Sequence, residues 1–150
     1  MKVDPQQAAR IQFLARVVRK ESQHLAITDR RLFGQPFTPE RAHQLETDVD
    51  LAEQVEAFVG RFSRMQDTLG DKLLPILLTS LGERTASAID NLDRAERLGW
   101  ITSADEWMTI RNLRNQMVHE YVEDPLVLSN ALQTGHSFVP TLITAAGKML

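Results

Sequence analysis

The chain has 150 residues, a length that suits one domain burying roughly 70% of its unfolded surface. Its 43% hydrophobic and 25% charged content excludes disorder and fibre, and 6% aromatics with few alternating β-branched residues speak against a sheet. A net charge of -3 excludes a global positive field, so any RNA or DNA contact rests on a local cluster of arginines. The absence of cysteine removes disulfides and thiolate metal sites. Met1 to Gln7 is too polar for a secretory signal, and Leu73–Leu78 is too short for a bilayer. A cytoplasmic protein without membrane contact is therefore expected.

Asp4-Pro5 reads as a helix start, with Asp as N-cap and Pro where no N–H is needed. Ile11, Leu14, Val18 and Leu25 keep one helix face, and this first helix is expected to fade around Ala26 to Asp29. Thr38-Pro39 repeats the start signal. Ala42, Leu45, Val49, Ala52, Val55, Val59 and Phe62 then predict one long helix to Gly70 or beyond, with a kink or break at Pro75. Gly82 marks a boundary before a third helix holding Ile89, Leu92 and Ala95 or Leu98, closed by a left-handed Gly99.

Ser103-Ala104-Asp105-Glu106 forms the pattern of a capping box and opens a fourth helix with Trp107, Ile110, Leu113 and Met117 on one face. Asp124-Pro125 starts the last helix, carrying Leu128, Ala131, Leu132, Val139, Leu142, Ile143 and Ala146, with a kink at Pro140. The expectation is one all-α domain spanning 1–150, an up-and-down bundle of about five helices with one long helix.

The histidines at 24, 43, 119 and 136 are scattered, and none forms a His-Glu-x-x-His pair. No Gly-rich phosphate loop or Gly-x-Ser-x-Gly elbow occurs, so metal, nucleotide-loop and serine-hydrolase readings are weak. The fourth helix differs. Arg111, Arg114, Val118 and Tyr121 stack in one stripe beside the apolar stripe, and a guanidinium at the edge of a buried face needs an anionic partner. That partner is either a ligand or a carboxylate on a neighbouring helix. His119 lies about 140° round the helix from Arg114. The two converge on one ligand only if the helix end unwinds or a second copy contributes.

Arg114, Asn115, Gln116-Met117-Val118, His119, Glu120 and Tyr121 resemble the signature of the HEPN domain, in its HepT-like toxin branch: arginine, a polar residue, three residues, histidine, any residue, tyrosine. The resemblance implies a HEPN-type homodimer acting as a metal-independent ribonuclease on tRNA or mRNA, with no cofactor and no metal ligand. It also implies a minimal nucleotidyltransferase (MNT) as antitoxin, which transfers AMP to Tyr121. Arg114 and His119 would be catalytic, with Asn115 orienting either group. Arginine offers a fixed charge and a fork that fits phosphate oxygens, while histidine moves protons near neutral pH. Other relatives of this fold are non-catalytic substrate-binding partners of nucleotidyltransferases, and a plain helical interaction protein is the third reading.

Overall fold

The computed structural model describes residues 4–120 and 124–150, the side chain at position 120 excepted. Among the described residues it is all-helical, without a strand. Helix α1 spans Pro5–Leu32, α2 Pro39–His43, α3 Val49–Gln66, α4 Leu74–Ser80, α5 Ala88–Arg97, α6 Ala104–Glu120 and α7 Pro125–Met149. A 3₁₀ turn, Gln44–Glu46, follows α2, and a π-helical segment, Asp67–Leu73, joins α3 to α4 without a break.

The predicted start signals act as read. Asp4, Thr38 and Asp124 each accept a hydrogen bond from a first-turn N–H, at Gln6, Arg41 and Leu126. Gly99 adopts φ +78, and the Trp100 N–H reaches back to the Ala95 carbonyl at 2.9 Å, which closes α5. Gly82 shares the same left-handed φ. The capping box is half formed. The Ser103 hydroxyl accepts from the Glu106 N–H at 3.1 Å, but the carboxylate at this helix start is Glu96 of α5, which takes the Ala104 N–H at 2.7 Å.

Three boundaries depart from the expectation. Helix α1 runs on to Leu32 because Leu25, Thr28 and Leu32 extend its buried face beyond Ala26. The long helix does not begin at Pro39. Asp48 caps a new start by accepting from the Leu51 N–H at 3.0 Å, so Val49 sits in a first turn and is 67% exposed. From there the buried stripe is Leu51, Val55, Phe58, Phe62 and Met65. The third departure is at Pro75, where no break occurs. The Leu74 N–H bonds the Leu69 carbonyl in the wide i→i−5 register, and this loosened turn accommodates the proline ring. Helix α7 likewise continues through Pro140, whose exposed position leaves the unpaired carbonyl one turn back on the solvent side. In α5 the buried face is Asn91, Leu92 and Ala95, whereas Ile89 and Leu98 are exposed.

Contacts between named residues give the topology. The Ser22 hydroxyl meets Met65 and Arg61 meets Thr28, so α1 and α3 are antiparallel. Asp67 pairs with Arg114 and Asp71 with Arg111, so α6 runs against the α3 rod. Met117 lies at Gly135 while Ile101 lies near Ala145, which sets α7 against α6. The bundle is up-and-down, with α3 packed on α1, α6 and α7. Phe58, Phe62, Trp107, Ile110 and Met117 fill its centre.

One glycine sets how close two of these helices come. A Cβ on Gly70 would lie 3.0 Å from both Gln66 Oε1 and Trp107 Nε1. Gly147 on α7 meets nothing within 4 Å. Gly70→Ala is expected to destabilise by about 1–3 kcal/mol through overpacking, and Gly147→Ala to stabilise by about 0.4–1 kcal/mol. Urea unfolding of the two variants beside wild type checks the opposite signs.

Candidate functional site

The site lies where the π segment meets α6. A π turn carries more residues per turn than an α-helix and shifts the phase of the side chains after it. Here Gln66 and Asp67 end α3 and enter that turn, facing α6. Gln66 is almost fully enclosed, 1% exposed, and so is Trp107. The Trp107 indole N–H donates to Gln66 Oε1 at 3.2 Å, and the Gln66 amide donates to Asp67 Oδ1 at 2.8 Å. Each buried polar group is thereby paired, as a low-dielectric core requires.

Asp67 in turn grips Arg114. Arg114 Nε donates to Oδ1 at 3.2 Å and Nη2 to Oδ2 at 2.8 Å, a two-pronged pair. Its remaining terminal nitrogen, Nη1, donates to Asn115 Oδ1 at 3.3 Å. A chain of hydrogen bonds therefore runs from Trp107 through Gln66, Asp67 and Arg114 to Asn115, from the core to the surface. One turn further along the π segment, Asp71 stands 3.7 Å from Arg111. Both arginines at the edge of the apolar stripe thus find carboxylates on a neighbouring helix.

Asn115, Val118 and His119 lie on the solvent face of α6, with Asn115 and His119 one turn apart. Helix α6 stays helical through Glu120. Unwinding up to that point does not bring His119 round to Arg114, and their side chains leave the axis about 140° apart. Tyr121 lies outside the described residues.

Two more carboxylates border the cluster. Glu21 of α1 is half-buried, with Oε1 enclosed and without a hydrogen-bond partner. Burial raises its pKa and the charge of Asp67 adds to the rise, against lowering by the Thr68 hydroxyl, Arg64 and Lys72. The Asp71 carboxyl is also raised, first by burial and then by Asp67, while Arg111 and Arg114 oppose the shift. Among the described residues no group of three or more His, Cys, Asp or Glu could hold a metal ion. No helix among them is long and apolar enough to cross a membrane.

Arg64, Asp67 and Asp71 all fall on the long helix that the sequence predicts, and nothing in their spacing selects them over a solvated face. Gln66 had one signal: it interrupts an apolar stripe between Phe62, Met65 and Leu69. Glu21 had none. The other histidines remain apart from the cluster; His136, for example, binds Asp29 at 2.7 Å and stacks on Phe33. No family model matches the chain, and no curated protein or solved structure does either.

The Glu21 shift has a consequence for stability. A carboxyl whose folded pKa is raised binds its proton more tightly in the folded state. Its contribution is present below the unfolded pKa near 4.5 and is lost as pH rises through the higher folded value. Glu21→Gln removes that loss. The variant should unfold at a higher temperature than wild type at pH 7, with the gain shrinking towards pH 4. Thermal melts across this range check it; a gain that grows on acidification would contradict the sign.

Proposed function

We propose that this chain is a metal-independent ribonuclease toxin of the HEPN, HepT-like kind, working as a homodimer in the cytoplasm. The observation that carries the reading is the hold on Arg114. Asp67 occupies one edge of the guanidinium with both oxygens, which turns Nη1 outward beside Asn115. A fixed cation edge with a histidine one turn beyond Asn115 suits the chemistry of RNA cleavage. Arg114 would stabilise the charge of the phosphorane, and His119 would take the proton from the ribose 2′-OH. The 2′ oxygen forms a bond to phosphorus as the 5′ oxygen of the next nucleotide leaves. The leaving oxygen takes a proton from a second acid, and the product end is a 2′,3′-cyclic phosphate.

Since α6 stays helical through Glu120, the second copy of the chain supplies the missing convergence in this reading, with its own His119 as the acid. Exposed Val118, 42% accessible between Asn115 and His119, gives that face an apolar contact. A minimal nucleotidyltransferase antitoxin would silence the enzyme by adding AMP to Tyr121. Near Arg114 the added phosphodiester would compete with RNA phosphate, and its bulk would obstruct the cleft. A second reading, a non-catalytic partner subunit of a nucleotidyltransferase, draws on one specific observation: Asp67 already neutralises Arg114.

Cleavage of RNA in the presence of EDTA separates the two. The ribonuclease reading expects cyclic-phosphate ends, with the rate falling by about a hundredfold or more in His119→Ala and Arg114→Ala. Asp67→Ala should cost roughly tenfold or more by releasing the guanidinium from its position. Circular dichroism would confirm that each variant is folded. Cleavage abolished by chelator, or untouched by His119→Ala, would refute the mechanism. Intact-mass spectrometry after co-expression with the antitoxin should find an adenylyl increment, absent from Tyr121→Phe.

A further inference from the structure

Charge is unevenly placed on this molecule. The chain has 20 acidic against 17 basic residues, so carboxylates are in excess. Five of the eight arginines outside α1 meet oxygen, and among them Arg94 faces Glu83, Arg111 faces Asp71 and Arg114 faces Asp67. Arg41 donates to two carbonyls and Arg61 to the Thr28 hydroxyl. Exposed Arg64, Arg84 and Arg97 lie singly on other segments, whereas α1 gathers its cations along one helix. Arg10, Arg16, Arg19, Lys20, Arg30 and Arg31 all stand exposed on it. Among the described residues none of the six forms an ion pair.

The two acids of the same helix do not offset them. Glu21 has its Oε1 enclosed against the bundle, and Asp29 is held by His136. The neighbouring helix α7 contains no acidic residue at all. On the α3 flank, Asp50 and Glu53 share a groove with Arg31 and balance that end. The uncompensated stretch therefore centres on Arg10 to Lys20. Beside it, between α1 and the end of α7, lies a groove of about 380 Å³ edged by Arg16 and Arg19. The middle of α1 also borders the π segment, because Glu21 lies against Thr68 there.

We propose that the outer face of α1, with the groove at Arg16 and Arg19, binds single-stranded RNA by its phosphate backbone and leads it to the Arg114 cluster. The choice of RNA rests on the ribonuclease reading. The cations extend from Arg10 to Arg30, about 30 Å at 1.5 Å per residue, long enough to follow several successive phosphates. Arginine dominates the face, and its fork fits phosphate oxygens. Phe13 is 45% exposed, with the Arg10 guanidinium 5.4 Å from its ring centre, and so offers a flat face on which a base can stack. A membrane is a poor fit, because the apolar face of α1 is already buried at Leu14, Val18 and Leu25. An acidic protein would need an apolar anchor at the centre of the contact, where this face exposes only Phe13 and Ile27 as large apolar groups.

The test is fluorescence anisotropy of a labelled oligouridylate with wild type, Arg16→Glu/Arg19→Glu/Lys20→Glu and the matching triple glutamine variant. All three positions are exposed, and the glutamine variant carries the test if charge reversal disturbs folding. Affinity should fall tenfold or more for the reversal, and less for glutamine. The plot of log affinity against log salt should flatten by about 2, three contacts at roughly 0.7 each. Cleavage of a uridine dinucleotide, too short to lie along α1, should be unchanged. Equal affinity and salt slope in wild type and variants would overturn the proposal, as would a wild type that does not bind the oligonucleotide. Stronger α1-dependent binding of polyglutamate or anionic vesicles than of RNA would also overturn it. If the oligonucleotide binds through α1 but no RNA is cleaved, the ribonuclease reading fails and the surface stands.

Discussion

The hydrogen bond between the Trp107 indole and Gln66 sets the relation between the two halves of this bundle. A tryptophan N–H buried to 1% exposure must find an acceptor, and a glutamine buried to the same degree must find partners for both ends of its amide. Each answers the other's need at 3.2 Å. The contact is possible because Gly70, one π turn on, has no side chain to intrude; its Cβ would lie within 3.0 Å of both atoms. With α6 drawn in at Trp107, Arg111 and Arg114 come opposite Asp71 and Asp67. The polar cluster is thus a consequence of core packing two turns away.

The π segment joins fold and site in a second way. A proline inside an α-helix clashes with the carbonyl four residues back and lacks the N–H that its partner needs. In the α3–α4 rod the loosening needed for Pro75 lies between Asp67 and Leu73, the same residues that face α6. One irregularity serves both purposes. It lets a 32-position helical run from 49 to 80 pass a proline, and it turns two carboxylates towards two arginines. Local departures from regular helix geometry often coincide with functional residues for this kind of reason.

Much of the bundle could be read from residue pattern, and the failures have physical causes. Caps at Asp4, Thr38, Asp124 and Ser103 and the left-handed Gly99 were legible because each is a local bond or a single dihedral. The face of α6 was legible because Trp107, Ile110, Leu113 and Met117 obey one period. The false continuation from Pro39 into α3 arose because Ala42, Leu45 and Val49 fit the stripe numerically. Asp48 reads as an ordinary polar position until its carboxylate is seen to cap Leu51. The site was half legible. Arg114 stood out by its place at the edge of an apolar face, but its partner is 47 residues away, and no periodicity within one helix points across to another. Glu21 was harder still, since only the packing of α1 on the π segment brings it to the cluster.

The direction of Arg114 constrains any chemistry proposed for α6. Tied to Asp67, its guanidinium lies on the α3 side of the helix, while His119 stands on the solvent face and the helix stays regular between them. Asn115 occupies the position between, accepting from Arg114 on one side and lying one turn from His119 on the other. A phosphate held at the outward Nη1 would therefore reach the open face at Asn115 before it reached His119 of the same chain. Two-fold pairing of α6 faces brings position i of one chain opposite position j of its twin, and j of the first opposite i of the second. Under that symmetry the 140° separation, which defeats a site within one chain, becomes a way to place one subunit's arginine beside the other's histidine, twice over. If Arg114 and His119 do act on one phosphate, as the ribonuclease reading has it, a regular α6 leaves the second copy of the chain as the source of one of them.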